Sequence, residues 1–294
     1  MNNFKAFDSN RFGAGAVLGC DFAGVVEAVG SDVTRVSKGD TIAGLIWGGE
    51  IKGLGAYSEY TVADEAICFK VPANISLAQA ATIPLAALTA WLGLFSKNSL
   101  DLDRSAGSDT TLVIWAEAFA ALHGFKIVTT CSPRHFERVR SLGAKHAFDY
   151  RDANIVQLIK DAAPGLRYVF DAIGNETSCV LASQAIDEQG GTLCTIRPDR
   201  IGTENATKQT KITDVLVWTA FLKDHRLGTF FWPANEDDHK LAAEFCDKVP
   251  AWIEEGKFKP NDVKIIPSGL EGVVVGFQEY RRGKISAIKL VYEL

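Results

Sequence analysis

Two residues with phosphate-binding chemistry follow an apolar run near the middle of the chain. Ser132 and Arg134 come directly after residues 125–130, FKIVTT, whose composition predicts a buried strand. A guanidinium donates paired, charge-assisted hydrogen bonds to a phosphate, and the first N–H groups of a helix add further donors. The residues also suit a plain helix start, with Ser132 as N-cap, Pro133 in the first turn and Gly143 at the end. The residues alone favour this second interpretation, in which Arg134 is a solvated charge.

The preceding segment has the pattern of a β-α-β unit with an unusual connection. Residues 112–115 predict a strand, 116–123 a helix and 125–130 the next strand. In nucleotide-binding units the first strand runs into a glycine-rich turn, because only glycine lets the backbone approach a pyrophosphate closely. No glycine lies between Trp115 and Gly124. The crossover is near the lower limit of about 10 to 12 residues, so it can form, but it lacks the phosphate turn.

Metal and nucleophile chemistry have little support in the sequence. The cysteines show no CxxC motif and no Cys/His pair at ligand spacing, so they are predicted to be buried reduced thiols. They are Cys20, Cys68, Cys131, Cys179, Cys194 and Cys246. No Ser/His/Asp or Cys/His arrangement stands out, and the five histidines lie at helix ends or in polar surroundings. We therefore expect no bound metal and no nucleophilic catalysis.

Composition limits the classes of partner. The chain has 294 residues, enough for one large or two ordinary domains, and its net charge of −5 makes nucleic acid or an anionic membrane surface an unexpected partner. No apolar stretch is predicted to reach membrane-spanning length, and the N-terminus has no secretory signal pattern. The sequence therefore predicts a cytoplasmic protein.

The pattern of apolar residues and glycines changes along the chain. Residues 19–72 are short β-type runs between glycines, including the alternating run YSEYTV, and predict an irregular β barrel or sandwich. Next comes a helical region that opens with a capping box, Ser76 and Gln79, and is broken or kinked at Pro84. From Thr111 onward strands and helices alternate, which predicts an α/β domain with a doubly wound parallel sheet. The tail ends in a predicted strand, SAIKLVYEL.

Several segments carry a family resemblance, in order, over nearly the whole chain. They are GAVLGCDFAGVVEAVGSDVTRVSKGDTIAG, GAYSEYTV, AATIPLAALTAW, SLGAKHAFDY, VFDAIG and GKISAIKLVYEL. They resemble the medium-chain dehydrogenase/reductase superfamily. The segment CSPRHFERVRSLGA and the tail are most similar to its zinc-independent fungal branch, the oxidoreductases of toxin and polyketide gene clusters that include trans-acting enoyl reductases.

The resemblance implies a domain organisation, and this chain departs from the family pattern at two places. We expect an incomplete GroES-like β domain over residues 1–98, a Rossmann NADP-binding domain over 99–260, and a return of 261–294 to the first domain. Family members begin earlier, so the chain is expected to start inside the first domain. They also have a glycine-rich turn and the first turns of a helix after the position of Trp115. An incorrectly spliced gene model would leave the same gap.

The resemblance also implies site residues. NADP(H) is expected to contact residues after the strands and in the tail: Ser132, Pro133, Arg134, His135, Tyr150, Ile196, Arg197, Ser286 and Ala287. Substrate is expected to lie against two segments: Leu85, Ala86, Ala87, Leu88, Thr89, Ala90, Trp91 and Leu92, and Val217, Trp218, Thr219, Ala220 and Phe221. Thr89 is the candidate catalytic side chain, because a lone hydroxyl in an apolar pocket orients a carbonyl; the alternative is a helix threonine bonded to its own backbone.

These observations predict an NADPH-dependent reductase of the C=C bond in an α,β-unsaturated acyl or enone substrate, in fungal secondary metabolism and with a polyketide synthase as partner. A quinone or enone reductase acting on free small molecules is the alternative within this class. A non-catalytic derivative that has lost its cofactor site is the alternative outside it. Zinc is not expected, because zinc-dependent relatives place a His-Glu pair where this chain has Cys20 and Asp21.

Overall fold

A computed structural model describes residues 15–114, 122–227 and 230–294, with only the backbone of Leu227 and Phe230. The chain divides into two units, Met1–Ala86 with Ala243–Leu294, and Ala87–Ala242. The predicted domain boundaries at residues 98 and 260 differ from these and stay a prediction. The predicted helix over residues 116–123 and the connection after Trp115 lie almost entirely outside the described residues.

Three antiparallel strands form the sheet of the first unit, β1 (Asp21–Val25), β2 (Thr41–Leu45) and β3 (Cys68–Lys70), in that order. Gly44 must be glycine, because an added Cβ would collide with the Cys68 sulfur and with the Phe22 ring. The β-rich prediction for this region is confirmed as an antiparallel sheet. The alternating run at 57–62 was predicted as part of this β structure, and here the prediction was wrong. The run forms no strand, and among the described residues no neighbouring strand pairs with it.

Two helices follow β3, and their ends match the sequence signals. Helix α1 (Leu77–Ala80) opens with the predicted capping box: Gln79 N donates to Ser76 Oγ at 3.1 Å, and Ser76 N donates to Gln79 Oε1 at 2.9 Å. Pro84 separates α1 from α2 (Pro84–Phe95), as predicted.

The stretch Leu77–Phe95 is long and apolar enough to span a membrane by length and composition, within the described residues. The prediction that no apolar stretch reaches this length was therefore wrong. In the structure 61% of the most apolar part of this stretch is buried in the protein, which is the situation of a core helix in a folded domain.

The C-terminal part of the first unit contains a two-stranded parallel sheet. Helix α6 (Glu236–Glu254), which begins in the second unit, leads to β12 (Asp262–Ile266), α7 (Val273–Arg281) and β13 (Ile288–Tyr292). The predicted terminal strand is β13, and it pairs with β12 from Asp262 opposite Ile288 to Ile266 opposite Tyr292.

The second unit is built on a six-stranded parallel sheet. Its strands are β4 (Thr111–Ile114), β5 (Lys126–Cys131), β6 (Ala144–Asp149), β7 (Tyr168–Asp171), β8 (Gly191–Thr195) and β9 (Thr210–Asp214). Their order is β6-β5-β4-β7-β8-β9, and every neighbouring pair is parallel. This is the order of a doubly wound dinucleotide-binding sheet, so the predicted Rossmann architecture is confirmed.

Helices between the strands cover the apolar sheet. They are α3 (Phe136–Ser141), α4 (Ile155–Ala162) and α5 (Glu176–Ala185). Apolar side chains of α4 and α5, including Ile159 and Ala182, pack with Val113, Val169 and Leu193 of the sheet in one buried core. A short antiparallel pair, β10 (His225–Leu227) and β11 (Phe230–Trp232), follows β9.

Candidate functional site

The carboxyl ends of the parallel strands form the edge where doubly wound sheets bind ligands. Strands β5 and β6 lie on one side of the first strand, β4, and strands β7, β8 and β9 lie on the other. Residues that follow each strand at this edge can therefore meet different parts of an extended ligand. Seven of the predicted cofactor residues lie in the segments that follow β5, β6 or β8.

The predicted phosphate residues form a turn directly after β5. Ser132 follows Cys131, and Pro133–His135 make one 3-10 turn before α3. Ser132 occupies the predicted N-cap position, with Pro133 after it, although its hydroxyl makes no capping hydrogen bond; the α-helix itself begins at Phe136. Arg134 is exposed, and its Nε donates to His135 Nε2 at 3.2 Å.

Tyr150 lies beside that turn through the strand register. Cys131 and Asp149 are partners in the β5–β6 ladder, so Ser132 and Tyr150 each come one residue after a paired position. Sequence reasoning missed the next residue, Arg151, whose guanidinium lies 5.5 Å from the Tyr150 ring. Arg151 binds Asp149 through both Nε (2.9 Å) and NH2 (2.8 Å), and this pairing lowers the pKa of Asp149.

Ile196 and Arg197 follow β8 and are bonded to the loop after β7. The Ile196 amide donates to the Asp171 carbonyl at 3.2 Å, and Arg197 Nε donates to the Gly174 carbonyl at 2.7 Å. Asp171 ends β7 and is fully buried, and burial raises the pKa of its carboxyl. The VFDAIG segment carried a signal for this loop, but it did not reveal the bond to Arg197.

Ser286 and Ala287 lie in the first unit, directly before β13. Ala287 has a φ of 55°, a left-handed conformation that is uncommon for a residue with a Cβ. Ser286 is half-buried and Ala287 is exposed. Their predicted contact with the cofactor stays a prediction.

The first predicted substrate segment lies on α2, and its side chains divide by burial. Ala87, Leu88, Ala90, Trp91 and Leu92 are buried, and Trp91 Nε1 donates to the Leu241 carbonyl at 2.9 Å. The accessible members are Leu85, Ala86 and Thr89. The helix packs closely on β7, since an added Cβ on Gly93 would lie 3.0 Å from Phe170 Cζ and closer to its neighbouring ring carbon.

The second predicted substrate segment contains a 3-10 turn, Val217–Ala220, after β9. Val217, Ala220 and Phe221 are buried, whereas Trp218 and Thr219 are half-buried. The Thr219 hydroxyl donates to the Leu216 carbonyl at 2.9 Å, a local bond that fixes the turn. Trp218 is thus the large accessible side chain of this segment.

Asp21 joins three parts of the first unit, and sequence reasoning missed this role. The amide of Leu85, in the first turn of α2, donates to Asp21 Oδ1 at 2.5 Å, and Lys289 of β13 pairs with Asp21 Oδ2. Burial raises the pKa of the adjacent Cys20 thiol to about 11, and the Asp21 charge adds to that increase. A carboxylate at the N-terminus of α2 is favoured by the helix dipole.

A cavity of about 1510 Å³ in the first unit has Cys20, Asp21 and Lys289 in its wall. Tyr57 and Tyr292 also line it, with ring centroids 5.4 Å apart in an edge-on arrangement. Burial raises the pKa of Tyr57 to about 12. The wall also carries the carboxylates Glu27, Glu59, Glu65 and Glu293, so its polar groups are both neutral and charged.

No cluster of three or more His, Cys, Asp or Glu side chains with metal-binding geometry occurs in the described part of the chain. All six cysteines are free thiols; Cys20 and Cys131 are partly buried and the other four are buried.

Comparison with known proteins identifies relatives over nearly the full chain. Residues 3–73 match the family described as alcohol dehydrogenase GroES-like domain. The chain is 32% identical to trans-enoyl reductase eqxC of Fusarium heterosporum over 299 aligned residues, covering 95% of this chain and 84% of that protein. Trans-enoyl reductase fsa3 of a Fusarium species, strain FN080326, gives the same identity and the same coverage.

Solved structures share the architecture. An alcohol dehydrogenase superfamily protein from Novosphingobium aromaticivorans superimposes with a TM-score of 0.70 at 22% identity, covering 92% of this chain and 79% of that one. The match includes both the antiparallel sheet and the parallel sheet, and at this identity it concerns the fold alone. Together, the sequence relatives and this architecture show that the chain is a member of the medium-chain dehydrogenase/reductase superfamily, oxidoreductases that use nicotinamide cofactors, and is related to fungal trans-enoyl reductases.

Proposed function

We propose that the protein reduces the C=C bond of an α,β-unsaturated acyl or enone substrate with NADPH. The observation that carries this proposal is the identity of 32% to two proteins named trans-enoyl reductases, over 84% of their length. A carrier-bound acyl chain on a polyketide synthase is the proposed substrate, and fungal secondary metabolism in the cytoplasm is the proposed setting. A quinone or enone reductase on free small molecules is the alternative substrate class.

The donor set at the carboxyl edge fits NADPH. Exposed Arg134, with the 3-10 turn after β5, offers a guanidinium and turn amides to a 2′-phosphate, and Tyr150 offers a hydroxyl beside them. Ile196 and Arg197, after β8, would offer backbone groups to the other end. The bound nicotinamide would supply the hydride.

The chain's own contribution to the reaction is orientation and exclusion of water. The half-buried Thr89 hydroxyl would hold the substrate carbonyl or the nicotinamide carboxamide, since it is the polar side chain among the accessible members of its segment. Trp218 and Thr219 would line the acyl chain. Hydride transfer needs no nucleophile from the protein, which agrees with the chemistry of these residues.

Turnover tests the proposal. Purified protein is incubated with NADPH and an enoyl thioester, an enone or a quinone, and NADPH absorbance and the saturated product are followed. We expect reduction of the enoyl thioester, with Thr89→Val lowering kcat/KM roughly ten- to a hundredfold through loss of the hydroxyl. The matched control is Thr192→Val. It makes the same change at the amino end of β8, away from the carboxyl edge of the sheet, and should keep full activity. Absence of NADPH oxidation with every substrate by a folded sample would reject the proposal.

A second candidate is a derivative of the family without nicotinamide chemistry. The absence of glycine between Trp115 and Gly124 favours it, because the backbone donors that usually surround the pyrophosphate need that turn. Turnover comparable with the relatives would exclude this candidate.

A further inference from the structure

Hydrogen bonds accepted by a buried carboxylate shape the loop after β7. Asp171 Oδ1 accepts from the amides of Ile173 and Gly174, both at 3.0 Å, and Asp171 Oδ2 accepts from Ser178 Oγ at 2.7 Å. Ser178 in turn belongs to the capping box at the start of α5. One side chain therefore fixes both the loop at 172–175 and the helix that follows it.

The loop after β8 packs on this first loop. Arg197 Nε donates to the Gly174 carbonyl, and an added Cβ on Gly174 would lie 2.7 Å from Arg197 Cγ. Gly174 also has a φ of 62°, so its position requires glycine for both conformation and space. The two loops are thus fitted to each other at this contact.

A second carboxylate holds the far end of the loop after β8. Asp199 N donates to Asp214 Oδ2 at 2.7 Å, and Asp214 is the last residue of β9. Asp199 and Arg200 both have a φ of 59°, and two consecutive non-glycine residues in this region are strained. Such strain persists where surrounding contacts hold it, and it concentrates at ligand-binding loops.

The location of the loops indicates what they face. In a doubly wound sheet a dinucleotide crosses the carboxyl edge at the first strand, with the adenosine ribose at the end of the second strand. Here the second strand is β5, with Ser132 and Arg134 after it, and β7 and β8 lie on the other side of β4. The opposite end of the dinucleotide, the nicotinamide riboside, therefore reaches the loops after β7 and β8.

We propose that Asp171 and Asp214 are positioning residues, which hold the loops at 172–175 and 196–200 in the shape that receives the nicotinamide end of the cofactor. The inference rests on the proposed NADPH-dependent function. It assigns binding at this end to loops that do not depend on the glycine-rich turn. Neither carboxylate needs to touch the cofactor; each acts through the backbone that it holds.

Measuring the affinities of two ligands distinguishes this positioning role from a general effect on folding. The affinities of NADPH and of adenosine 2′,5′-bisphosphate, which lacks the nicotinamide half, are measured by fluorescence and calorimetric titration. We expect Asp214→Ala to weaken NADPH about tenfold without changing the affinity of the bisphosphate. Asp214→Asn keeps an oxygen for Asp199 N and should restore NADPH binding.

Further variants keep the test decisive. Asp171→Asn loses the acceptor for Ser178 Oγ and should also weaken NADPH alone. Asp187→Asn is the matched control, because Asp187 Oδ1 accepts from Gln189 N at 2.9 Å in a turn that precedes β8, at the opposite edge of the sheet. Equal affinity of Asp214→Ala and wild type for NADPH, or equal losses for both ligands, would overturn the inference. Failure of the wild type to bind NADPH would instead overturn the proposed function, and this inference with it.

Discussion

At the residue scale, the Asp21 carboxylate holds together parts of the first unit that lie far apart in the sequence. It accepts from the Leu85 amide and pairs with Lys289, and the Lys289 and Asp21 side chains are only 29% and 15% exposed. Removing one member of such a pair leaves a partly desolvated charge, whereas exposed pairs contribute little. Asp21 therefore matters both for stability and for the start of α2, on which Thr89 lies.

A double-mutant cycle measures this pair. We expect a coupling free energy of about 1 to 3 kcal/mol between Asp21→Asn and Lys289→Met in urea unfolding, because the pair is partly buried. The matched cycle uses Glu27→Gln and Lys38→Met, a pair whose side chains are 67% and 69% exposed, and should give no more than about 0.5 kcal/mol. Equal coupling in the two cycles would contradict the role given to Asp21.

At the element scale, the sequence predicts elements whose signals are local. The capping box at Ser76 and Gln79, the break at Pro84 and the alternation of strands and helices after Thr111 all occur as predicted. A feature that depends on distant contacts was wrong: the alternating run at 57–62 forms no strand, and the α-helix after Ser132 begins only after a 3-10 turn. Pairing partners and added turns are decided by tertiary packing, which has no local signal.

The candidate site follows the same division. Ser132, Arg134 and Tyr150 could be selected because the family resemblance implies cofactor contacts after these strands, and residues after parallel strands share one edge of the sheet. The bonds of Asp171 and Asp214 to neighbouring loops could not, because they join residues whose contact arises only when the strands are aligned.

The strained turn after β8 gives a prediction at this scale. Replacing Arg200 by glycine should stabilise the protein by about 1 kcal/mol relative to Arg200→Ala, because glycine has no Cβ penalty at a φ of 59°. Comparing glycine with alanine removes the effect of the lost charge from the difference. The free energies of unfolding in urea decide the matter; an alanine variant as stable as the glycine variant would show that the turn is unstrained.

At the scale of the whole molecule, buried thiols and phenols set the response to alkali. Burial raises the pKa of Cys20 and Cys179 to about 11, and that of Tyr57, Cys68 and Cys194 to about 12. The unfolded chain releases these protons first, near pH 9 for a thiol, so it binds fewer protons than the folded protein above that pH.

We therefore expect these groups to leave the free energy of unfolding unchanged below pH 9. Between pH 9 and about pH 12 they should lower it progressively. Denaturant unfolding at a series of pH values measures this. Cys194→Ala removes one fully buried thiol and should make the decline shallower. A stability that is flat or rises across this range would contradict the assignment of buried, protonated thiols.

Retention of the proposed cofactor is the other property of the whole molecule, because its contacts would come from several strands. In the proposed function, NADPH binding would depend on the residues after β5 and β6 at one end and on the loops after β7 and β8 at the other, since the sequence has no glycine between Trp115 and Gly124. Arg134→Gln should weaken NADPH roughly tenfold and leave NADH unchanged, since we propose that the guanidinium binds the 2′-phosphate. Arg140→Gln, which removes an exposed guanidinium paired with Glu137 on α3, is the control and should change neither affinity.

The most direct test of the proposed function is a fluorescence titration of the 294-residue chain with NADPH and, in parallel, with NADH. We expect saturable binding of NADPH in the micromolar range and weaker binding of NADH. A cooperatively folded sample that binds neither nucleotide would contradict it and would favour a derivative without cofactor chemistry.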